Sequence, residues 1–457
     1  MAGRRLPGHH PVLRDDHRPH RETVRPVRYA RSTEGLTPMF LRPNLYTSYE
    51  AETHIFPTWT KKVLAALSIA VLFLMPFSLP VINQLPLIRF LGDSSWLRVM
   101  STAFIFAIAA LGLNILTGLA GQISLGHAFF MGVGAYTGAV VGGQETASVL
   151  GWGFPIWVWL PAAGIVAAAV GLIIAPVAVR LRGLYLAIVT LGLVFIGIHM
   201  SNTSWGRRIA GDPGLGRDFP NYDVRIWREE EPLVSLSTAS QWLWFDVTAG
   251  QKRFLFLAAL MVVFAVVAKN IARSRTGRAL QAIRDRDIAA EVMGVNEFRY
   301  KLIAFGISSF FAGVAGALYA GLAGKMPATQ FSLFLSIEFI AILLIGGIGT
   351  VTGVLMGTFF VELSPKMVEE FTRWLSQRTD EAGAIGIFAD LLLSSGPGDF
   401  GPISIATQTP GWPLNVFDWN IVLYGVLIIV FLIFEPLGLF GIWIKFRNYW
   451  KRWPFSY

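Results

Sequence analysis

Cysteine is absent from this chain of 457 residues, and charge is scarce: Asp, Glu, Lys and Arg together make up 15% of it. The first absence excludes a disulfide scaffold and any cysteine-ligated metal site. The second excludes an ordinary water-soluble globule, in which about a quarter of residues are charged and clothe the apolar core. Disorder is excluded from the other direction, because 54% of the residues are apolar and the mean hydropathy is +0.54. Chemistry-bearing motifs are missing too. Gly321-Leu-Ala-Gly324-Lys325-Met326 has the wrong spacing for a phosphate-binding loop and ends on an apolar residue, so ATP is not bound by that route. There is no Gly-x-Ser-x-Gly elbow, no metal-ligand spacing and no relay of membrane carboxylates, which removes an enzyme reading and weakens a proton-driven one.

What is present is length and hydrophobicity. A hydrocarbon core of roughly 30 Å is crossed by about 20 apolar helical residues. Such runs occupy residues 63–82, 97–119, 154–179, 183–200, 254–271, 302–322 and 421–443. Two glycine-rich apolar regions add shorter segments. Residues 122–141 make one, and 331–361 make two with a break at Gly346-Gly347-Ile348-Gly349. The expected fold is all-α: a polytopic transmembrane helical bundle of about ten spans, or about eight where glycine-broken segments are re-entrant.

The net charge of +9 invites a nucleic-acid reading, but the basic residues are not spread over one binding face. They gather in residues 1–62, which hold 11 Lys/Arg, at Arg180 and Arg182, at seven positions from Arg273 to Lys301, and at Lys445, Arg447, Lys451 and Arg452. With about ten crossings all four groups fall on one side, the cytoplasm by the positive-inside rule, and both termini lie there. Residues 362–419 carry eight acidic against three basic side chains and fall outside. The organisation that follows is a basic, disordered cytoplasmic tail (1–62), then a membrane core (63–361) with an external loop at 201–252 and a cytoplasmic loop at 272–301. An external polar loop (362–419) and a last span with its basic tail (420–457) complete it. Trp157, Trp159, Trp242, Trp244, Trp419 and Trp443 stand near span ends, where amphipathic rings anchor a bundle at the interface.

Small residues recur at intervals of four in Gly349, Gly353 and Gly357, in Gly134 and Gly138, and in Ala312, Gly316 and Ala320. Such ridges let helix backbones approach closely in lipid. The polar residues are more informative. Asn114, Thr117, Gln122, Ser124 and His127 cluster with Gly118, Gly121 and Gly126 at the junction of two hydrophobic segments. Polar side chains beside broken backbone at membrane depth either line a watery path or satisfy one another between helices. Glu338 is a lone carboxylate in an apolar run, with no partner legible in the sequence.

The loop after Ile271 has another character. Leu280, Ile283, Ile288, Val292 and Val295 keep helical spacing, while Arg284, Asp285, Arg286, Asp287 and Glu291 occupy much of the remaining surface. Gly294 suits a helix end in left-handed conformation. The expectation is one short amphipathic helix thrust into the cytoplasm. It either docks a protein partner or lies on the bilayer, and its mixed charge favours the partner.

Several stretches resemble a known family. Leu111-Gly-Leu-Asn114-Ile-Leu-Thr-Gly118-Leu-Ala-Gly121-Gln122-Ile-Ser124-Leu-Gly126-His127-Ala-Phe-Phe130-Met-Gly132-Val-Gly134-Ala-Tyr136-Thr137 is similar to the signature of branched-chain amino acid ABC transporter permeases, above all the LivM-type subunit. Arg180-Leu-Arg182-Gly183-Leu-Tyr185-Leu-Ala-Ile-Val-Thr190-Leu, Gly277-Arg278-Ala-Leu-Gln-Ala-Ile-Arg284-Asp285 and Ile345-Gly346-Gly347-Ile-Gly349-Thr350 agree in order. A weaker match lies at Glu435-Pro-Leu-Gly438-Leu-Phe-Gly441.

The resemblance implies a transport subunit rather than an enzyme, multi-pass in the bacterial plasma membrane. It would translocate branched-chain amino acids, or related solutes such as urea and short amides. It implies four kinds of neighbour: a homologous second permease, two cytoplasmic ATP-binding subunits, an external solute-binding protein and membrane lipid. ATP and magnesium would then be used by the partner subunits, with no cofactor bound by this chain and no nucleic acid involved. Arg284, Asp285, Asp287, Glu291 and Gly294 would couple to the ATPase, with Ala289-Ala290-Glu291 and Gly294 matching the family's coupling segment. Asn114, Gln122, Ser124 and His127 are the expected solute pathway. The long basic tail and the size of 364–419 depart from the family pattern. A stand-alone secondary transporter or facilitator is the other class, also with broken helices and mid-membrane polar groups. It has no need of the protruding amphipathic helix.

Overall fold

In lipid a backbone must satisfy its own hydrogen bonds, which leaves apolar runs no stable alternative to helix. The computed structural model describes residues 59–77, 93–181, 183–226, 232–242, 245–377, 393–394, 403–404 and, with gaps, 422–452. All belong to one compact unit, Thr47–Tyr457; a second unit, Met1–Tyr46, and with it nearly all of the expected cytoplasmic tail, lies outside the described residues.

Helix α1 spans Trp59–Leu74, and α2, Ser94–Leu113, runs directly into a π-helical turn at Asn114–Leu119. Next come α3 (His127–Gly142), α4 (Ile156–Arg180), α5 (Leu184–Asn202) and the short α6 (Ser204–Ala210). Helix α7 (Ala249–Arg273) leads into two short helices, α8 (Arg275–Asp285) and α9 (Asp287–Val292). The rest of the bundle is α10 (Glu297–Ala323), α11 (Leu333–Gly346), α12 (Val351–Ser376) and α13 (Gly438–Arg452). Two small antiparallel pairs sit among the loops: β1 (Arg217–Asp218) with β4 (Lys325–Met326), and β2 (Ser240–Trp242) with β3 (Phe245–Val247).

Among the described residues seven helices are long and apolar enough to cross a membrane, within residues 94–119, 156–180, 185–202, 249–273, 297–323, 328–346 and 351–375. The sequence led to an expectation of about ten. Helices α1 and α3 have 16 residues each, about 24 Å at 1.5 Å per residue, short of a hydrocarbon core. The expected span 421–443 lies partly outside the described residues, and Gly438 starts a separate amphipathic helix within it. Helix α12 instead runs past Val361 to Ser376, so Glu362 is helical and not the start of a loop. Residues 378–392 and most of 395–421 lie outside the described residues.

Helices α2 and α10 form the middle of the bundle, with 83% and 72% of their apolar windows buried against 22–44% elsewhere. Helix α10 packs against α4, α3 and α2, and its small residues set how closely. A Cβ on Gly134 of α3 would come within 2.2 Å of Gly313 Cα, and one on Gly316 within 1.9 Å of the Met131 carbonyl. Small residues of both ridges thus lie at the crossing of α3 and α10, but each meets a residue outside the other ridge: Gly134 meets Gly313, Gly138 meets Ala317 and Gly316 meets Met131. Gly313 also meets Ala163 and Ala167 of α4, and Gly171 of α4 meets Ser309. Of the expected aromatic anchors, Trp157 is half exposed and donates to the Arg225 carbonyl. Trp159 is 1% exposed: it fills the space that Gly138 and Gly142 leave beside it, and so is a core residue. Trp443 is partly exposed on α13, while Trp244 and Trp419 lie outside the described residues, as does the Trp242 side chain.

Candidate functional site

The polar junction begins where α2 changes pitch. In the π turn the Ala120 N–H reaches the Ile115 carbonyl at 3.3 Å, and the Gln122 N–H reaches Leu116 at 3.1 Å. Insertions of this kind, common at functional sites, leave carbonyls and side chains free to turn elsewhere. Asn114, 2% exposed, uses its Oδ1 to accept from the Gly349 N–H at 2.8 Å. Gly349 sits in the break between α11 and α12 at φ +84°, where a helical partner for that N–H is unavailable. A Cβ on Gly118 would fall 2.2 Å from Asn114 Oδ1, so this contact demands glycine.

The expected pathway residues all gather here, and all are buried. Ser124 Oγ accepts from the Gly126 N–H at 3.3 Å, while Thr190 of α5 accepts from Leu125 N–H at 3.0 Å. His127 opens α3 with Nε2 at 2.9 Å from the Ala109 carbonyl and its ring edge-on to Phe339. Asn114, Ser124 and His127 therefore commit polar atoms to the backbone between helices. Gln122 differs. It is 5% exposed, yet among the described residues neither its Oε1 nor its Nε2 has a hydrogen-bond partner.

In the loop expected to be cytoplasmic, the single expected helix is two. Ser274 caps α8 by accepting from the Gly277 N–H, and Arg286 adopts extended backbone (φ −156°, ψ 99°), which turns α9 away from the body. Leu280 and Ile283 are buried, whereas Ile288, Val292 and Met293 are 71%, 82% and 82% exposed. Gly294 ends α9 at φ +85°, as its position implied. Asp285 and Glu291 are exposed and Asp287 is half-buried, its carboxylate accepting from the Ile288 N–H. Arg284 faces the other way: its Nη1 donates to the Gly118 carbonyl at 2.6 Å, and its Nε meets Asp285 at 3.3 Å. Its alkyl chain lies against Gly121, and a Cβ on Gly349 would come 3.1 Å from Nη1. At the far side of the same break, a Cβ on Gly438 would meet the Gly347 N at 2.8 Å. Stretches far apart in sequence thus converge on one point. The carbonyl of Gly118 and the exposed knob at Ile288 and Met293 escaped sequence reading, since a backbone acceptor leaves no residue signature.

Two further features lie toward the end of the bundle opposite α8 and α9. An outer cavity of about 1280 Å³ is lined by charges of both signs, among them Arg207, Asp218, Asp223 and Lys325. Its wall is pinned by Arg217, 3% exposed, which donates to the carbonyls of Ile209, Ala139 and Leu150 at 2.7–2.9 Å. Burial lowers the Arg217 pKa from its ordinary value. It raises that of Tyr222, which donates to the Leu318 carbonyl. A smaller cavity holds Glu338 of α11 and Glu362 of α12, which supplies the neighbour that Glu338 lacked in the sequence.

The sequence profile described as the permease component of the branched-chain amino acid transport system matches residues 95–432. The chain belongs to this permease family. It is 32% identical over 297 residues to the high-affinity branched-chain amino acid transport permease LivM of Escherichia coli, covering 62% of this chain. The LivM protein of Salmonella typhimurium is also 32% identical, over 60% of this chain, and the permease spans 66% and 64% of these two relatives' lengths. A probable branched-chain amino acid permease LivH of Methanocaldococcus jannaschii is 24% identical over half of this chain and 69% of its own. No solved structure matches.

Proposed function

We propose that this permease is the membrane subunit of an ATP-driven ABC importer. Its solutes are branched-chain amino acids, or related small amino acids and amides such as urea, handed over by an external solute-binding protein. A homologous second permease completes the pathway, and two cytoplasmic ATP-binding subunits use ATP and magnesium. The chain lies in the bacterial plasma membrane with both termini cytoplasmic and about ten crossings, a topology supported by its Lys/Arg distribution.

The observation that carries this reading is the bond from Arg284 to Gly118. The knob formed by Ile288, Val292 and Met293, beside Asp285 and Glu291, offers an ATPase subunit an apolar contact with charged margins. Closure of the ATPase pair pushes that knob, and α8 transmits the push to the π turn through Arg284. Asn114 carries it on to Gly349, where α11 and α12 are joined only by a glycine break. A push of this kind drives transport only if the two states bind solute with different affinity. Gln122, with both amide atoms unengaged, is the pathway residue best placed to change partners between states.

Purification from native membranes in mild detergent, with each associated chain identified, tests the reading. Recovery of a second permease and an ATPase, with hydrolysis stimulated by leucine-loaded binding protein, supports it. Recovery of this chain alone, still moving solute in ATP-free liposomes, overturns it in favour of a facilitator.

A further inference from the structure

The acidic pair Glu338 and Glu362 takes no part in the coupling chain. Both line a cavity of about 470 Å³, inside the range of about 300–1,000 Å³ typical of small-molecule sites. Carboxylates at membrane depth are costly and face partners or a watery path. Here the protein withholds a partner. Oε1 of Glu362 is sealed from solvent and meets no donor among the described residues, and Glu338, of the same sign, lies near enough to repel it. Lys366, the cation among the lining residues, is already held by Glu369 at 3.1 Å and Glu370 at 3.0 Å. The cavity thus holds two neighbouring carboxyl groups whose mutual repulsion an entering cation would relieve. Phe106 and Tyr319 meet edge-on at 5.2 Å in its wall, and Phe334 adds a third ring. Aromatic faces of this kind attract an organic cation.

We propose that this cavity receives the ammonium group of the transported solute, with Glu338 and Glu362 as its counter-charges. The inference rests on the amino-acid permease reading and narrows it: an ammonium-bearing solute fits, whereas urea or a neutral sugar brings no charge to neutralise the pair. Val99 and Leu335 supply apolar wall for an aliphatic side chain.

The test measures binding of radiolabelled methylammonium and L-leucine to the purified complex, for the parent protein, E338Q and E362Q. Saturable binding of both probes by the parent is expected, weaker by about ten-fold or more in each variant, with urea failing to compete. Leucine binding within about two-fold of the parent in both variants overturns the proposal, and so does a parent that binds no methylammonium. Methylammonium binding lost in both variants, without leucine uptake by the reconstituted parent, keeps the cation site and sinks the amino-acid reading instead. Carbodiimide labelling of Glu362 in the unaltered protein gives a readout that does not depend on variants folding. Methylammonium must slow it, and labelling indifferent to methylammonium refutes the site.

Discussion

Arg284 and Gly118 are joined by a 2.6 Å hydrogen bond between residues 166 apart in the chain. The guanidinium belongs to α8 and the carbonyl to a π turn inside the bundle. Replacing Arg284 by Ala should leave insertion and assembly intact while separating hydrolysis from transport. Coupling free energies of this kind amount to about 5–150-fold, so solute moved per ATP should fall about five-fold or more. R284K, which lacks the planar fork, should fall between the two. A variant with unchanged solute-to-ATP ratio would show that Arg284 transmits nothing.

Asn114→Ala strands the Gly349 N–H. An unsatisfied buried donor costs about 1–3 kcal/mol, and the loss should appear as a lowered denaturation midpoint together with slower transport. If the midpoint is unmoved, another acceptor has taken the amide.

Two glycines on different helices make a contrast. Gly316→Ala places a methyl 1.9 Å from the Met131 carbonyl and must push α3 from α10, whereas Gly192→Ala on α5 meets nothing within 4 Å. The first should destabilise by about 1–3 kcal/mol and the second stabilise by up to about 1 kcal/mol. Thermal unfolding followed by size-exclusion chromatography reads both, and equal behaviour would refute the close crossing.

The turn at Asp212 carries a pH signature. Its carboxylate accepts from Leu215 and Gly214 amides, and these hold its pKa below the ordinary aspartate value. A pKa lowered by folding means stability present above the unfolded pKa and lost as pH falls through the folded one. The parent should therefore outlast D212N on heating at neutral pH, with the gap closing in acid. A gap that persists well below the usual aspartate range would assign the effect to something other than ionisation.

Much of the bundle was legible because lipid simplifies the problem. Apolar runs became helices, Gly134 and Gly316 each sit at a close backbone contact between α3 and α10 as small residues in lipid should, and the break fell at Gly346–Gly349 as its glycines required. Legibility failed where a choice depends on what lies opposite. Trp159 reads as an interfacial ring until Gly138 and Gly142 are seen to open a slot for it. Ile288 and Val292 keep helical spacing with Leu280, but extended backbone at Arg286 turns them outward. Glu362 looked like the edge of a polar loop because charged residues follow it, and only the continuing α12 brings it beside Glu338. Of the four residues expected in the pathway, composition selected the neighbourhood, while which side chain stays unengaged among the described residues was decided by its surroundings.

The π turn at Asn114–Leu119 has a geometric consequence of its own. It holds slack, more residues per turn than the α-helix before it. Absorbing one residue of that slack would swing whatever follows by about 100° around the axis and advance it by about 1.5 Å. A straight rod transmits only a shove. A rod with a spare residue wound into it converts a shove into rotation, and the loop that turns is the one leading to the mouth of α3.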